Sequence, residues 1–237
     1  MADDFDAPNK GVAAVGQAIT ALALVGGLGI GFWTTAQSSA DTSTPPPRPA
    51  TCSGGEPEKP SAESGAAPRV SGAQLCTALH RPDLAELLGT PGESAKSAGG
   101  SEGSFRPAGG EEIAAPSARV EFGTYTVTLR VGYDRFPVST TAALLGEETP
   151  GRMVLGRQAA LYSDRTISIS FRLDGSDSQS RPGVPARVLA VARDAQDSGG
   201  SYDVTLWRTD GLVPDDAVLL RVAETVLPTI PGWSAAG

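Results

Sequence analysis

The sequence has few of the residues from which metal centres and many catalytic sites are built. Its 237 residues include one histidine (His80), two cysteines (Cys52 and Cys76) and only 5% aromatic residues. One histidine and two cysteines cannot complete a closed structural zinc site. A triad that depends on a second histidine cannot form within one chain. We therefore expect no metal, no cofactor and no catalytic residue, and we predict that the protein is not an enzyme.

Dense positive charge is missing as well. The chain has 19 basic and 27 acidic residues, a formal net charge of −8 and a pI near 4.7, and its basic residues are scattered. A phosphate backbone requires a concentrated basic patch. The composition therefore excludes a general nucleic-acid-binding protein and disfavours docking on an anionic bilayer surface.

What the chain does contain is a long apolar stretch near its start. No charged residue occurs from Gly11 to Ala40, and about 20 apolar residues suffice for a helix that spans a bilayer. This pattern predicts a tail over residues 1–10 and a transmembrane helix over residues 11–36. A cleaved signal peptide is the alternative, but the apolar stretch is long and the preceding tail is acidic, which favours an uncleaved anchor. Within it, Gly27 and Gly31 form a small-residue face for a weak homodimer.

Proline, glycine, serine and glutamate dominate residues 37–69, a composition typical of a disordered linker. Cys52 lies in this linker and Cys76 follows it. The pair predicts a disulfide if this part of the chain lies outside the cytoplasm, where disulfides persist. Flanking charge does not decide the orientation, so the prediction of an extracytoplasmic C-terminal domain depends mainly on these two cysteines.

Residues 70–233 show the pattern of one α+β domain. Ser71 is placed to begin a helix, strands with alternating apolar residues follow from about residue 118, and a final helix begins near Asp215. We interpret residues 90–110 as a long loop that contains a short strand at Ser104–Arg106, residues 174–185 as a second loop, and Ser163–Arg165 as the turn of a hairpin. The expected architecture is a mostly antiparallel sheet packed by N- and C-terminal helices.

Four segments carry a resemblance to a known family: TCSGGEPEKP (51–60), SGAQLCTALHRPDLAELLGTPGE (71–93), LYSDRTISISFRLDGSDS (161–178) and LRVAETVLPTIPGW (220–233). In these segments the chain resembles an actinobacterial family of single-pass, membrane-anchored proteins of unknown function. The resemblance implies a cytoplasmic tail and an exported domain at the cell membrane, and it supplies no activity. More weakly, Leu75-Cys76 followed by Leu87-Leu88-Gly89 is similar to actinobacterial cell-envelope lipoproteins, although no lipobox precedes Cys52.

Two patterns in the sequence are of a kind found in catalytic sites. Gly99-Gly-Ser-Glu-Gly103 matches G-x-S-x-G, but a nucleophile elbow needs a strand before the serine, a helix after it and a later histidine. We interpret this segment as a flexible loop. Paired carboxylates suffice for glycoside hydrolysis, so an exported hydrolase is the alternative function. The acidic residues are instead expected to be solvated, or, in Asp215-Asp216, to complement a helix dipole.

A binding surface is the remaining possibility. Trp207 falls on the strand face opposite Tyr202, Val204 and Leu206, so it lies either under a helix or on an exposed face where it would anchor a ligand. The sequence therefore favours a membrane-tethered, non-catalytic binding module of the cell envelope. Its expected partner is an envelope protein or a small apolar ligand.

Overall fold

The computed structural model describes residues 50–53, 69–107, 110–145, 151–170 and 179–233. The predicted tail, the apolar stretch with Gly27 and Gly31, and most of the linker lie outside these described residues. Within them, no helix is both long enough and apolar enough to cross a membrane.

Four α-helices occur in the described part of the chain, and local signals in the sequence explain where two of them begin. They are α1 (Gly72–Leu79), α2 (Leu84–Leu87), α3 (Val138–Leu145) and α4 (Asp216–Val226), which continues into a 3-10 turn at Leu227–Thr229. Ser71 caps α1 through a capping box with Gln74, and the Asp215 carboxylate accepts from the Ala217 N–H at the start of α4. Each cap satisfies backbone N–H groups that have no partner within the helix.

Seven strands form the main sheet and two form a separate small pair. The main-sheet strands are β1 (Ser97–Ser101), β4 (Ser117–Glu121), β5 (Tyr125–Val131), β6 (Gly151–Val154), β7 (Arg157–Ser170), β8 (Gln179–Ala192) and β9 (Ser201–Arg208). Their spatial order is β1-β4-β5-β9-β8-β7-β6, with every neighbouring pair antiparallel, while β2 (Ser104–Phe105) pairs with β3 (Ile113–Ala114). The predicted α+β fold with a mostly antiparallel sheet is confirmed.

The main core lies between the sheet and the helices near the two ends of the domain. Helices α1 and α4 contribute fully buried residues, including Leu75, Leu79 and Val222, which belong to the same cluster as Val127 and Leu206 of the sheet. Helix α3 packs against β7 and β8 over a smaller alanine-rich cluster. The predicted arrangement, with N- and C-terminal helices packed on the sheet, is therefore present.

One edge of the sheet is closed by the residues that precede the domain. Ser53 forms a parallel bridge with Gly99: its N–H donates to the Ala98 carbonyl over 3.3 Å, and its carbonyl accepts from the Gly100 N–H over 2.9 Å. The predicted disulfide is present and joins Cys52 to Cys76 of α1, with a Cα–Cα distance of 5.8 Å. This end of the sheet is thus held both covalently and by backbone hydrogen bonds.

The structure corrects the interpretation of residues 90–110 as a loop, because β1 lies within it, while the short strand expected at Ser104–Arg106 is present as β2. A Cβ atom on Gly100 would lie 2.2 Å from the Gly72 carbonyl oxygen. The strand is therefore rich in glycine because helix α1 lies directly on its backbone, and glycine there does not indicate a flexible loop.

The predicted hairpin turn at Ser163–Arg165 is also wrong. Strand β7 continues through these residues, and the turn lies instead at Leu155-Gly156, where both φ angles are positive (52° and 75°). Such values are typical of a two-residue hairpin turn. The predicted loop over 174–185 is likewise strand from Gln179 onward.

Candidate functional site

Strands β7 and β8 extend well beyond their neighbours in the sheet. Strand β6 pairs with β7 only as far as Ala160, and β9 pairs with β8 only from Ala186 onward. We call the two-stranded extension, Ser163–Ser170 with Gln179–Pro185, the arm. In the described part of the chain it has no third strand on either side.

A β-bulge bends the arm near its base. Arg165 pairs with Pro185 and Ile167 pairs with Pro182, so Thr166 stands opposite two residues, Gly183 and Val184. The Thr166 hydroxyl donates to the Val184 carbonyl over 3.4 Å. A Cβ atom on Gly183 would lie 2.2 Å from the Thr166 hydroxyl oxygen, so glycine is needed for this close approach.

A groove of about 700 Å³ follows the arm. Its lining includes the continuous segment Ser163–Ile167 of β7, together with Ser180–Pro182, Pro185 and Ala186 of β8, and Val213 from the segment after β9. Two of its apolar side chains are strongly exposed: Ile167 at 74% and Val213 at 63%. Large apolar side chains exposed in a concave surface are typical of interaction sites.

Two arginines of the groove, Arg165 and Arg181, donate to uncharged groups of the arm. The guanidinium of Arg165 donates to the Gly183 carbonyl, and that of Arg181 donates to the Gln179 side chain. Neither forms an ion pair with an acid in the described ranges. Arg187, at the base of the arm, shows the contrast, since it binds the Asp216 carboxylate through two N–H groups at 2.6 and 2.8 Å. The groove thus combines apolar surface with two arginines that form no ion pair with a described acid, although Asp164 also belongs to its lining.

A smaller groove of about 490 Å³ lies between α1 and the turn after α4. It is lined by Ala73, Gln74, Thr77, Ala78, Arg81, Thr229 and Pro231. Its cation is already engaged, because Arg81 binds the Asp83 carboxylate and donates to the Thr225 carbonyl over 3.0 Å. This groove therefore offers less unsatisfied chemistry than the groove along the arm.

Trp207 lies on the sheet face opposite α1 and α4, and its side chain is half-buried. It is not under α3, which packs on β7 and β8. The guanidinium of Arg119 lies over the indole, 5.0 Å from the ring centroid, and also pairs with Glu121. One ring face of Trp207 is thus already occupied by a cation from its own chain.

The other polar groups on this face also bind one another. Arg130 pairs with the buried Asp203 over 2.8 Å, and the Ser201 hydroxyl donates to the same carboxylate over 2.7 Å. Burial, with the charge of Asp203, raises the pKa of Tyr162 to about 12. These contacts explain the polar residues here as an internal network.

The candidate catalytic residues do not come together as a site in the described chain. Gly99 and Ser101 of the G-x-S-x-G pattern lie in strand β1, so no helix follows the serine. His80 is at the C-terminus of α1, where its N–H donates to the Cys76 carbonyl over 2.7 Å. The predicted helix-end positions of Asp215 and Asp216 are correct, although Asp216 also binds Arg187. Among the described residues, no three acidic, histidine or cysteine side chains are placed to hold a metal.

Among the described carboxyl groups, each pKa that differs from its usual value is lowered. For Asp83, Glu121 and Asp210 the largest cause is a side-chain hydrogen bond. For Glu93 and Asp194 burial alone would raise the pKa, but several hydrogen bonds outweigh it. A general acid at neutral pH needs the opposite displacement.

Sequence reasoning missed the arm and its groove. The polar residues Ser163–Arg165 resembled a turn, which concealed the continuity of β7. The alternation of isoleucine with serine and threonine from residue 166 does predict a strand there, but not its continuity with the residues before it. The signal that was overlooked is the pair of prolines, 182 and 185, in the opposite segment. Proline is typical of an edge position in a sheet.

Comparison with known proteins gives one family and no activity. A protein-family model described as a family of unknown function (DUF6215) matches residues 9–148. Neither the curated proteins nor the solved structures include a match to this chain.

Proposed function

The chain belongs to the DUF6215 family of unknown function, and we propose that it is a membrane-tethered extracytoplasmic domain that binds a partner protein through the groove along its arm. The observation that carries this proposal is the groove itself. Exposed Ile167 and Val213 lie there with Arg165 and Arg181, whose charges meet no described acid. Buried interface centres combine apolar residues and arginine in this way.

Two observations support the tether and its orientation. The family model begins at residue 9, so its match includes the apolar stretch Gly11–Ala40. The disulfide between Cys52 and Cys76 suits an oxidising compartment. The lowered carboxyl pKa values favour a binding role over a hydrolase, which would need a protonated acid.

Site-specific photocrosslinking tests the binding surface in intact cells. A photoreactive phenylalanine analogue replaces Ile167 in the full-length chain, and the matched control replaces Met153, an exposed apolar residue of β6 outside the groove lining. We expect a discrete crosslinked species from position 167 only. Arg165→Gln with Arg181→Gln should abolish it. No species from position 167, or the same species from both positions, would show that the groove is not the binding surface.

Thiol chemistry on intact cells tests the orientation. A membrane-impermeant reductant followed by an impermeant maleimide should label the exposed Cys52 without lysis, because it is expected outside the membrane, whereas the buried Cys76 should label only after denaturation. Labelling of Cys52 that requires lysis would contradict the extracytoplasmic assignment.

A further inference from the structure

The two strands of the arm differ in whether their outer edges can accept another strand. A two-residue turn at Leu155-Gly156 makes Val154 and Arg157 a hydrogen-bonded pair, and the direction of the backbone groups then alternates along β7. Ser163, Arg165 and Ile167 accordingly direct their N–H and C=O groups away from β8. The contact of the Arg165 N–H supports this, because it donates to the Asp164 side chain over 2.7 Å and not to β8.

The outer edge of β8 is blocked by proline. Pro185 is paired with Arg165 and Pro182 with Ile167, so both prolines occupy positions whose backbone groups face away from β7. Proline has no N–H to donate, and proline on an edge strand prevents the addition of a further strand. The described residues of β7 include no proline, and no described strand pairs with Ser163–Ser170 on that side, so we take this outer edge as the one that can accept a strand.

Charge limits the kind of strand that fits this edge. Arg165 of β7 and Arg181 of β8 both line the groove along the arm, and neither forms an ion pair with a described acid. The chain as a whole carries a net charge of −8, so these arginines stand out against an acidic background. Exposed Ile167 and Val213 lie in the same groove and provide an apolar contact.

Resting on the function proposed above, we propose that the occupant is an extended acidic segment of the partner protein, which adds as a strand to the outer edge of β7. Its backbone pairs with Ser163, Arg165 and Ile167, its carboxylates meet Arg165 and Arg181, and an apolar side chain packs on Ile167 and Val213. Strand addition supplies affinity through the main chain, while the side chains supply selectivity.

In this arrangement the Asp164 side chain opposes the addition of a strand to this edge. Its carboxylate occupies the Arg165 N–H that an incoming strand needs, and its negative charge opposes an acidic segment. Removal of this side chain therefore improves binding, an effect that a purely structural role for Asp164 does not produce.

Fluorescence anisotropy with a synthetic probe tests the proposal on the full-length chain in non-ionic detergent. The probe is a short fluorescein-labelled peptide that alternates glutamate and valine, and its counterpart replaces each glutamate by lysine. We expect the acidic peptide to bind and the lysine peptide not to bind. Hydrogen exchange should slow in residues 161–169 when the acidic peptide is present.

Three variants, two of them with matched controls, locate the interaction. Ser163→Pro removes an outward N–H and should weaken binding about tenfold or more, whereas Ser163→Ala keeps that N–H and should bind nearly as the parent does. Arg165→Gln with Arg181→Gln should weaken binding about tenfold. Arg152→Gln, at an exposed arginine outside the groove lining, should leave binding unchanged. Asp164→Ala should tighten binding about threefold.

The outcomes separate this proposal from the proposed function. If the crosslink at position 167 forms but the acidic peptide does not bind, the groove binds a partner of other chemistry and the strand-addition proposal is wrong. If neither is seen, both are wrong. Protection of residues 161–169 by micelles containing phosphatidylglycerol, without peptide binding, would show a lipid-contacting arm and would overturn both.

Discussion

The two edges of the main sheet differ in whether another segment of the chain pairs with them. At one end, Ser53 pairs with the edge strand β1 and the Cys52–Cys76 disulfide holds it there. At the other end, β6 covers only the first four residues of β7, and the rest of that strand lies beyond it. An uncovered strand edge is an aggregation hazard that proteins normally block. In the described residues, one edge of the sheet is therefore paired beyond its last strand and the other is not, which is the difference on which the proposed strand addition depends.

The disulfide is expected to have the largest effect on the closed end. Cys52→Ala with Cys76→Ala should lower the free energy of unfolding by about 3 kcal/mol, because the bond closes a loop with a sequence separation of 24. Urea denaturation of the full-length chain, monitored by tryptophan fluorescence, measures the change. Reduction of the parent protein should give a similar loss, and an unchanged midpoint in both cases would contradict the role assigned to the bond.

A smaller loss is expected where helix α1 lies on strand β1. Gly100→Ala places a Cβ atom 2.2 Å from the Gly72 carbonyl oxygen, so α1 has to shift, at a cost of about 2 kcal/mol. The control is Gly92→Ala, where an added Cβ meets no atom within 4 Å. Equal stabilities of the two variants in the same denaturation assay would rule out the close packing described for the closed end.

A still smaller change in the free energy of unfolding is expected from solution pH, which acts on a contact between β1 and β4. A hydrogen bond from the Ser97 hydroxyl, with the charge of Arg119, lowers the pKa of Glu121 in the folded state. This contribution is therefore complete above the unfolded pKa of glutamate, about 4.3, and is lost as the pH falls through the lower folded value. Because the carboxylate is partly exposed, we expect about 0.5 kcal/mol. The loss between pH 6 and 3 should be smaller by that amount in Glu121→Gln.

The open edge should tolerate a change that a paired strand does not. Ser163→Pro is expected to cost less than about 1 kcal/mol, because the lost N–H points away from β8. Asp164→Pro removes an N–H that faces β8 and should cost about 3 kcal/mol or more. Comparable losses for the two variants would mean that the backbone directions derived for the arm are wrong.

The sequence predicted best those elements whose signals are local. The serine before α1, the aspartate before α4 and the alternation in β5 each identified an element correctly, since capping and burial act within a few residues. Strand β1 was missed because its glycines are required by helix α1, which packs directly on the strand. That contact is not visible in any local sequence pattern. The arm was missed because the polar residues Ser163–Arg165 of β7 are of the types that favour a turn.

The site was less predictable than the fold for a related reason. Arg165 and Arg181 are ordinary surface residues in the sequence, and only the pairing of β7 with β8 brings the two segments together to line one groove. Trp207, which the sequence analysis named as a possible ligand anchor, already stacks with Arg119 of its own chain. The two arginines and the tryptophan thus differ in whether a charged side chain of their own chain already contacts them, and this depends on neighbours that the sequence does not show.

The link between Cys52 and Cys76 also decides what happens when the backbone is cut. Any peptide bond broken between residues 54 and 68 falls inside the loop that this link closes. A protease acting there yields two polypeptides that stay joined, and the domain remains attached to residues 1–53. Separation of the two pieces after such a cut also requires reduction of the disulfide. A single cut within residues 54–68 is therefore not enough to separate the domain from residues 1–53, whereas a single cut before Cys52 does separate it from the residues that precede the cut.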